Sequence, residues 1–158
     1  MSEFSDSYHL KANAHAAGGE LLHRAGLDGF VFPESGGWVT VLPSGFPFMT
    51  NQGLLAANEG ILLHYTNAED HGWGFELFDK ATCVANYGCS WDPAVKVHHP
   101  LNVQAFEKCL GPVFSSLKPV ARDRILAPKD ITEVFTLRPA AAFAKAVGLV
   151  NFEWLSFE

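Results

Sequence analysis

Two histidines, two carboxylates and a tryptophan lie around a probable turn in the stretch HYTNAEDHGWGFELF, residues 64–78. His64 precedes a polar turn that contains Asp70 and His71, and a strand-like run follows this turn. Imidazole and carboxylate groups together suit acid–base catalysis, or a metal such as zinc, manganese or iron. No HExxH or comparably dense ligand spacing occurs, and turns gather Asp, Asn and Gly for conformational reasons. We therefore expect neither a metal nor a cofactor, and a polar turn between core strands is the simpler interpretation.

A nucleophile for the same cluster is available on a predicted strand. Cys83 or Cys89, together with His64 and Asp70, supplies the residue types of a small hydrolase. No G-x-S-x-G sequence indicates a serine nucleophile instead. The cysteines number three and are sparse, which argues against a disulfide framework and favours small buried side chains.

Three tryptophans indicate binding rather than chemistry. Trp38, Trp73 and Trp91 stand at the ends of predicted strands beside glycine, serine or aspartate, and 13% of the chain is aromatic. Aromatic side chains at strand ends can rim a cleft above a sheet and contact a flat ligand or a partner. Core packing is the alternative for each of them.

The elements that must position these residues change character along the chain. Ser5 or Asp6 can cap an N-terminal helix that runs toward Gly26, with Gly18-Gly19 as an interruption. Strand-like runs follow in GFVF, WVTVLP, LLAA, ILLHYT, WGFELFD and TCVANYGCSW. In WGFELF the alternate residues Trp73, Phe75 and Leu77 share one apolar face, which needs a cover.

Helices in the second half of the chain can provide that cover. Helices are predicted in LNVQAFEKCLG, before Pro128 and in RPAAAFAKAVG, whereas residues 130–137 fit either a helix or a strand. The apolar C-terminal segment LVNFEWLSFE predicts a last strand. The expected fold is a single α+β domain over residues 1–158. It has an antiparallel β meander of five or six strands, an N-terminal helix, and C-terminal helices packed on one face.

Composition and charge exclude several classes of function. The net charge is −6, and it divides into −8 over residues 1–95 and +2 over residues 96–158, so no basic surface for nucleic acid is expected. No apolar run approaches the roughly 18 residues of a membrane span, and no secretory signal is recognisable. P-loop and dinucleotide-binding motifs are absent from the sequence. We expect a soluble cytoplasmic protein.

The function expected from the sequence is binding without catalysis. The layout resembles, in architecture alone, that of small bacterial α+β domains, some of which neutralise toxins by binding them. The expected partner is a protein or a small ligand, met through a sheet or loop surface rimmed by aromatic residues, in an antitoxin- or immunity-like role. The alternative is a small hydrolase that uses residues 64–71. Apolar strands without lysine or proline in residues 54–79 also predict a homodimer or higher oligomer.

Overall fold

The computed structural model describes residues 2–157, which form one seven-stranded antiparallel sheet with helices on both faces. The strands are β1 (Phe4–Lys11), β2 (Gly29–Val31), β3 (Trp38–Pro43), β4 (Ile61–Ala68), β5 (Gly72–Asp79), β6 (Thr82–Ser90) and β7 (Lys96–His99). Their order in the sheet is β2-β3-β1-β4-β5-β6-β7. The predicted α+β class and antiparallel sheet are confirmed, with one strand more than expected and with β1 inserted between β3 and β4.

The helices divide between the two faces of the sheet. They are α1 (Ala16–Ala25), α2 (Gln52–Ala57), α3 (Val103–Leu110), α4 (Pro119–Leu126), α5 (Ile131–Leu137) and α6 (Pro139–Val147). None of the described helices has the length and apolar content needed to cross a bilayer. The edge strands β2 and β7 have three and four residues, and such short edges offer little template for unwanted pairing.

The face under α3–α6, called here the helical face, carries the larger core. The alternate β5 residues Trp73, Phe75 and Leu77 point to this face and are buried. The rings of Phe75 and Phe143 stack in parallel with their centroids 4.0 Å apart, which fixes α6 against the centre of the sheet. The period-two pattern of the sequence therefore predicts the buried face of this strand correctly.

The opposite face, called here the second face, is only half covered. Helices α1 and α2 lie over the β3–β1 side and bury Leu62 and Phe78 at one end of β4 and β5. The predicted break in α1 at Gly18-Gly19 does not occur. Gly18 instead allows the helix to approach the sheet closely, because a Cβ there would lie 2.6 Å from Val31. Beyond the small core, the second face of β4–β7 has no helix above it among the described elements.

The predicted N-terminal helix is wrong for residues 4–11, which form the central strand β1. Its residues on the helical face are polar, namely Ser5, Ser7 and His9, and all three are fully buried. Ser7 Oγ lies 2.9 Å from His9 Nε2, and His9 Nδ1 lies 3.0 Å from Thr40 Oγ1. This ladder satisfies the buried polar groups but removes the apolar alternation by which strands are recognised.

Three further assignments differ from those expected. The LLAA segment is part of helix α2, capped by Asn51, whose side chain accepts a hydrogen bond from Leu54 N. Residues 96–99, expected as a linker, form the edge strand β7, and residues 149–157 of the C-terminal segment form no strand. The segment of residues 130–137 is helical. The Asp130 side chain accepts a hydrogen bond from Glu133 N at the start of the helix, and the Glu133 carboxylate accepts one from Lys129 N.

Candidate functional site

A groove of about 490 Å³ runs over the uncovered second face of β4–β7. Its floor is formed by side chains of alternate strand residues, among them His64, Thr66, Glu76 and Asn86, and Phe48 lines it from the loop of residues 44–51. This region is called the groove below. The groove combines titratable side chains with glycines of neighbouring strands, and it is therefore the candidate site.

His64 is held between two carboxylates at the end of the groove nearest the small core. Its Nε2 lies 2.7 Å from Asp6 Oδ1, and its Nδ1 lies 3.4 Å from Glu76 Oε1. The Tyr8 ring, on the neighbouring strand, stacks on the imidazole with the centroids 4.1 Å apart. Both ring nitrogens therefore have carboxylate partners, and the face of the ring is covered.

This environment favours the charged imidazolium form of His64. Burial alone would lower the pKa of His64, but the hydrogen bonds to Asp6 and Glu76 outweigh it and raise the pKa above its ordinary value. The same hydrogen bond to His64 lowers the pKa of Glu76. An imidazolium with both nitrogens engaged has no lone pair to act as a general base. His64 is therefore built as a fixed positive charge.

The two carboxylates around His64 also hold the loop of residues 44–51 in place. Asp6 Oδ2 accepts a hydrogen bond from Phe48 N, and Glu76 Oε1 accepts one from Thr50 Oγ1. Phe48 has a φ of 59°, which is unfavourable for a residue with a side chain and requires outside support. Each of these partly buried carboxylates therefore makes one direct contact to the loop, and the contact from Asp6 supports the strained Phe48.

The loop presents large apolar side chains to solvent at the rim of the groove. Phe46 and Met49 are 82% and 65% exposed, and Phe48 is 44% exposed. Phe4, also exposed, makes an edge contact with Phe48 at 6.0 Å between centroids. Contiguous exposed aromatic and methionine side chains of this kind mark interaction surfaces, whereas isolated ones do not.

Glycines keep the middle of the groove open. Gly74 on β5 is paired directly with Gly88 on β6. A Cβ on Gly74 would lie 2.5 Å from the carbonyl oxygen of Tyr87, so the two strands approach too closely for a side chain there. A Cβ on Gly88 would first meet the His99 ring at 3.4 Å, so Gly88 faces the groove with space above it.

The four predicted catalytic residues do not form one cluster. Asp70 and His71 are exposed in the turn after β4, whereas His64 lies four residues, or about 13 Å, before Ala68 at the end of that strand. Cys83 is exposed at the start of β6, where burial and then the charge of Glu76 raise the pKa of its thiol. Within the described residues, the Cys83 thiol donates to Ala85 O and makes no hydrogen bond to a histidine. The predicted cysteine–histidine–aspartate arrangement is therefore not assembled.

The three predicted binding tryptophans are placed in the core rather than on a rim. Trp38, Trp73 and Trp91 are 3%, 4% and 7% exposed, and all belong to the larger core. Trp38 Nε1 donates to Val147 O at 3.0 Å, and Trp91 Nε1 donates to Glu69 O at 2.9 Å. Aromatic rim residues do exist, but they are phenylalanines of the loop of residues 44–51.

Several residues of the groove were not identified from the sequence. Asp6 and Glu76 lie on the two strands that flank the strand of His64. Only the alignment of Tyr8 with His64 and of His64 with Glu76 shows that the three side chains meet. Ser90 Oγ also makes a short hydrogen bond to His98 Nε2, next to the bulge between β6 and β7. The one available sequence signal was a charged residue in the middle of an otherwise apolar strand, which Glu76 in WGFELF provides.

No group of three or more His, Cys, Asp or Glu side chains within residues 2–157 is arranged to hold a metal ion. No protein-family model, curated protein or solved structure matches the chain. A functional assignment must therefore depend on the geometry of the groove itself.

Proposed function

We propose that the protein is a binding protein that recognises a protein partner through the groove and its apolar rim. The observation that carries this proposal is the support of the loop of residues 44–51. Asp6 and Glu76, paired with His64, hold the strained Phe48 and its neighbour Thr50 at the edge of an uncovered sheet face. A rim fixed in this way loses little freedom on binding, which favours affinity.

The shape of the surface favours a protein partner over a small molecule. Sites for small molecules usually enclose most of the ligand surface, whereas this groove is broad and open. Phe46, Phe48 and Met49 have the residue types enriched in protein interfaces. The polar floor of the groove, with Asn86 exposed near its centre, supplies hydrogen-bonding groups beside these apolar rim residues. An antitoxin- or immunity-like role is one form of this function.

Site-specific photocrosslinking tests the proposal. A benzophenone amino acid at Phe46 should give one crosslinked species in a native extract of the source organism. The matched control places it at Val120, which is 64% exposed on α4 and does not line the groove. Excess unlabelled protein should suppress the Phe46 species. An excess of the Met49→Ser, Asn86→Arg variant should not, whereas Val120→Ser should suppress it as well as the unchanged chain.

These competitors are comparable because all three substitutions fall on exposed positions, where stability typically changes by less than about 0.5 kcal/mol. The proposal fails if no species forms at Phe46, or if Val120 gives the same species. It also fails if the groove variant competes as well as the unchanged chain.

A hydrolase is the second candidate, and it is supported by a single contact. Ser90 and His98 place a hydroxyl nucleophile against an imidazole at one side of the groove. The described residues provide no carboxylate partner for the other nitrogen of His98, so the pair lacks the third member of a triad. Labelling with a fluorophosphonate would support this candidate if it is abolished by Ser90→Ala, and absence of labelling would remove it.

Cytoplasmic location and self-association belong to the proposal as well. The three free cysteines are consistent with a reducing compartment. The original grounds for a homodimer do not hold, because β4 and β5 are central strands and Leu62 and Phe78 are buried. A dimer would now have to use the exposed rim around Phe46, and light scattering coupled to size exclusion distinguishes it from the 17.2 kDa monomer.

A further inference from the structure

A second, smaller cavity of about 70 Å³ lies on the helical face, at the end of the sheet near the turn between β4 and β5. It is walled by Tyr65, Trp91 and Phe135, and the start of α6 closes one side. Its volume corresponds to roughly five water-sized spheres. The cavity is separate from the groove, because β4 presents Tyr65 and Asn67 to the helical face and His64 and Thr66 to the other.

Two buried polar side chains that line this cavity have no hydrogen-bond partner in the described part of the chain. Asn67 is 9% exposed and Tyr65 is 1% exposed, yet neither the amide nor the hydroxyl is bonded to another residue. Both groups keep some accessible surface. Among the described residues, the side-chain nitrogen or oxygen that is fully buried without a hydrogen-bond partner is Trp73 Nε1. Buried polar groups normally find a partner, so these two indicate an occupant of the cavity.

The charge around the cavity is negative. Glu3, at 4% exposure, and the half-buried Glu69 contribute two carboxylates, and the exposed Arg138 contributes one positive charge. Arg138 reaches Glu3 only at 3.5 Å and is shared with Glu153 at 3.4 Å. Glu69 Oε2 accepts from Glu3 N at 2.8 Å, which leaves its Oε1 free to accept a further hydrogen bond.

Aromatic walls complete a site for a cation. Tyr65, Trp91 and Phe135 offer ring surfaces, which attract ammonium groups through the negative faces of their π systems. Burial, and then the charges of Glu3 and Glu153, raise the pKa of Tyr65, so its hydroxyl stays protonated at neutral pH. A ligand with several N–H donors and a short apolar tail would satisfy the free acceptors and fill the apolar part beside Val134.

We propose that this cavity binds a small alkylamine. The ammonium group lies between Glu69, Glu3 and the Asn67 carbonyl oxygen, and the alkyl tail lies against Trp91 and Phe135. An anion is disfavoured by the two carboxylates. A larger ligand is disfavoured by the volume. The site is independent of the groove, and its test does not depend on the proposed function.

The experiment uses three four-carbon probes of different charge, n-butylammonium, 1-butanol and butyrate, with the full chain. Backbone amide NMR shifts of Asn67, Glu69 and Arg138 report the binding. We expect n-butylammonium to shift these signals with a dissociation constant of about 1–10 mM, within the affinity limits of a five-atom ligand. Butanol should bind at least tenfold more weakly, and butyrate should not bind.

Two variants link the binding to named groups. Glu69→Gln keeps an oxygen that can accept the hydrogen bond from Glu3 N. It should weaken the binding of n-butylammonium at least tenfold. Tyr65→Phe removes a hydroxyl that has no protein partner, so it should weaken binding severalfold without loss of stability. Glu20→Gln, which makes the same charge change at an exposed position of α1, is the control and should leave the dissociation constant unchanged.

The assignment is overturned if n-butylammonium causes no localised shifts up to 50 mM, about fivefold above the weakest expected dissociation constant, because the cavity then holds water only. Equal binding of butanol or butyrate would overturn it as well, and so would equal weakening by Glu20→Gln and Glu69→Gln. A main-chain-blocked lysine that binds more tightly than n-butylammonium would identify a protein side chain as the ligand, in contradiction to a small free amine.

Discussion

The rings of Tyr8 and His64 are parallel to within 1°, with their centroids 4.1 Å apart, across the junction of β1 and β4. The Tyr8 hydroxyl accepts a hydrogen bond from Asn51 N at 2.7 Å, at the end of the loop that forms the groove rim. An aromatic face in contact with an imidazolium stabilises the charged form, in addition to the carboxylates of Asp6 and Glu76. The rim of the groove is therefore tied to the sheet through one charged ring and its three neighbours.

The two buried histidines of this region should titrate in opposite directions. His64 should remain protonated above pH 6.5, whereas burial lowers the pKa of His9 to about 3, so His9 should be neutral across the physiological range. Imidazole carbon and nitrogen chemical shifts as a function of pH measure both. Asp6→Asn should lower the pKa of His64, because it removes the closer of its two carboxylates. A His64 that titrates at or below 6.5 in the unchanged protein would contradict the charge assignment.

The contribution of His64 to stability should fall as the pH rises. Because its pKa is raised on folding, the stabilisation is fully present below the unfolded value of about 6.5 and is lost as the pH passes the folded value. His64→Gln leaves Asp6 without its cation and should cost about 3–5 kcal/mol at pH 6. Urea unfolding between pH 6 and 9 measures the difference between the variant and the unchanged chain, which should shrink with pH.

His9→Gln serves as the control for this pH series. The pKa of His9 is lowered, so the protonation of the unfolded chain destabilises the fold only below about pH 6.5. Between pH 7 and 9 the difference between this variant and the unchanged chain should therefore stay constant. A His64→Gln difference that is equally constant would contradict the raised pKa of His64.

The parts of the fold that the sequence predicts are those in which apolar alternation is intact. The pattern of Trp73, Phe75 and Leu77 identifies β5 and its buried face, and the Asp130–Glu133 spacing is consistent with α5. Strand β1 was missed because its helical-face residues Ser5, Ser7 and His9 resemble polar helix positions. Their hydrogen-bond ladder depends on partners from other strands, which no local pattern contains.

The candidate site was predicted only in part, for a similar reason. His64 was identified, but its partners Asp6 and Glu76 are 58 and 12 residues away, and the strand register brings them together. Asp70 and His71 are near His64 in the sequence and are separated from it by half a strand. The aromatic rim was expected, but strand-end tryptophans pack into the core because their large apolar rings bury more surface there.

The glycine pair in the middle of the groove gives a matched test of packing. Gly74→Ala should destabilise the fold by about 1–3 kcal/mol, because its Cβ would lie 2.5 Å from the backbone oxygen of Tyr87. Gly88→Ala should be neutral or slightly stabilising, because its Cβ meets only the His99 ring at 3.4 Å and alanine restricts the unfolded chain. Denaturant midpoints compare the two. Equal losses at both positions would contradict the strand approach described for β5 and β6.

The tryptophans of the core should differ in how well they tolerate replacement by phenylalanine. Trp73 Nε1 is buried without a partner in the described chain, so Trp73→Phe removes an unsatisfied donor that offsets part of the lost packing. Trp38→Phe instead leaves the Val147 carbonyl without the donor that now lies 3.0 Å away.

We expect Trp38→Phe to cost about 1–3 kcal/mol more than Trp73→Phe, since the cost of an unpaired buried group is added to a similar loss of packing. Trp91→Phe, which frees the carbonyl oxygen of Glu69, should behave like Trp38→Phe. Urea denaturation measures the free energy of unfolding of the three variants, with one shared dependence of that free energy on urea concentration. If Trp73→Phe proves the most destabilising, the indole of Trp73 must donate a hydrogen bond to a bound water. The Nε1 donor is then satisfied.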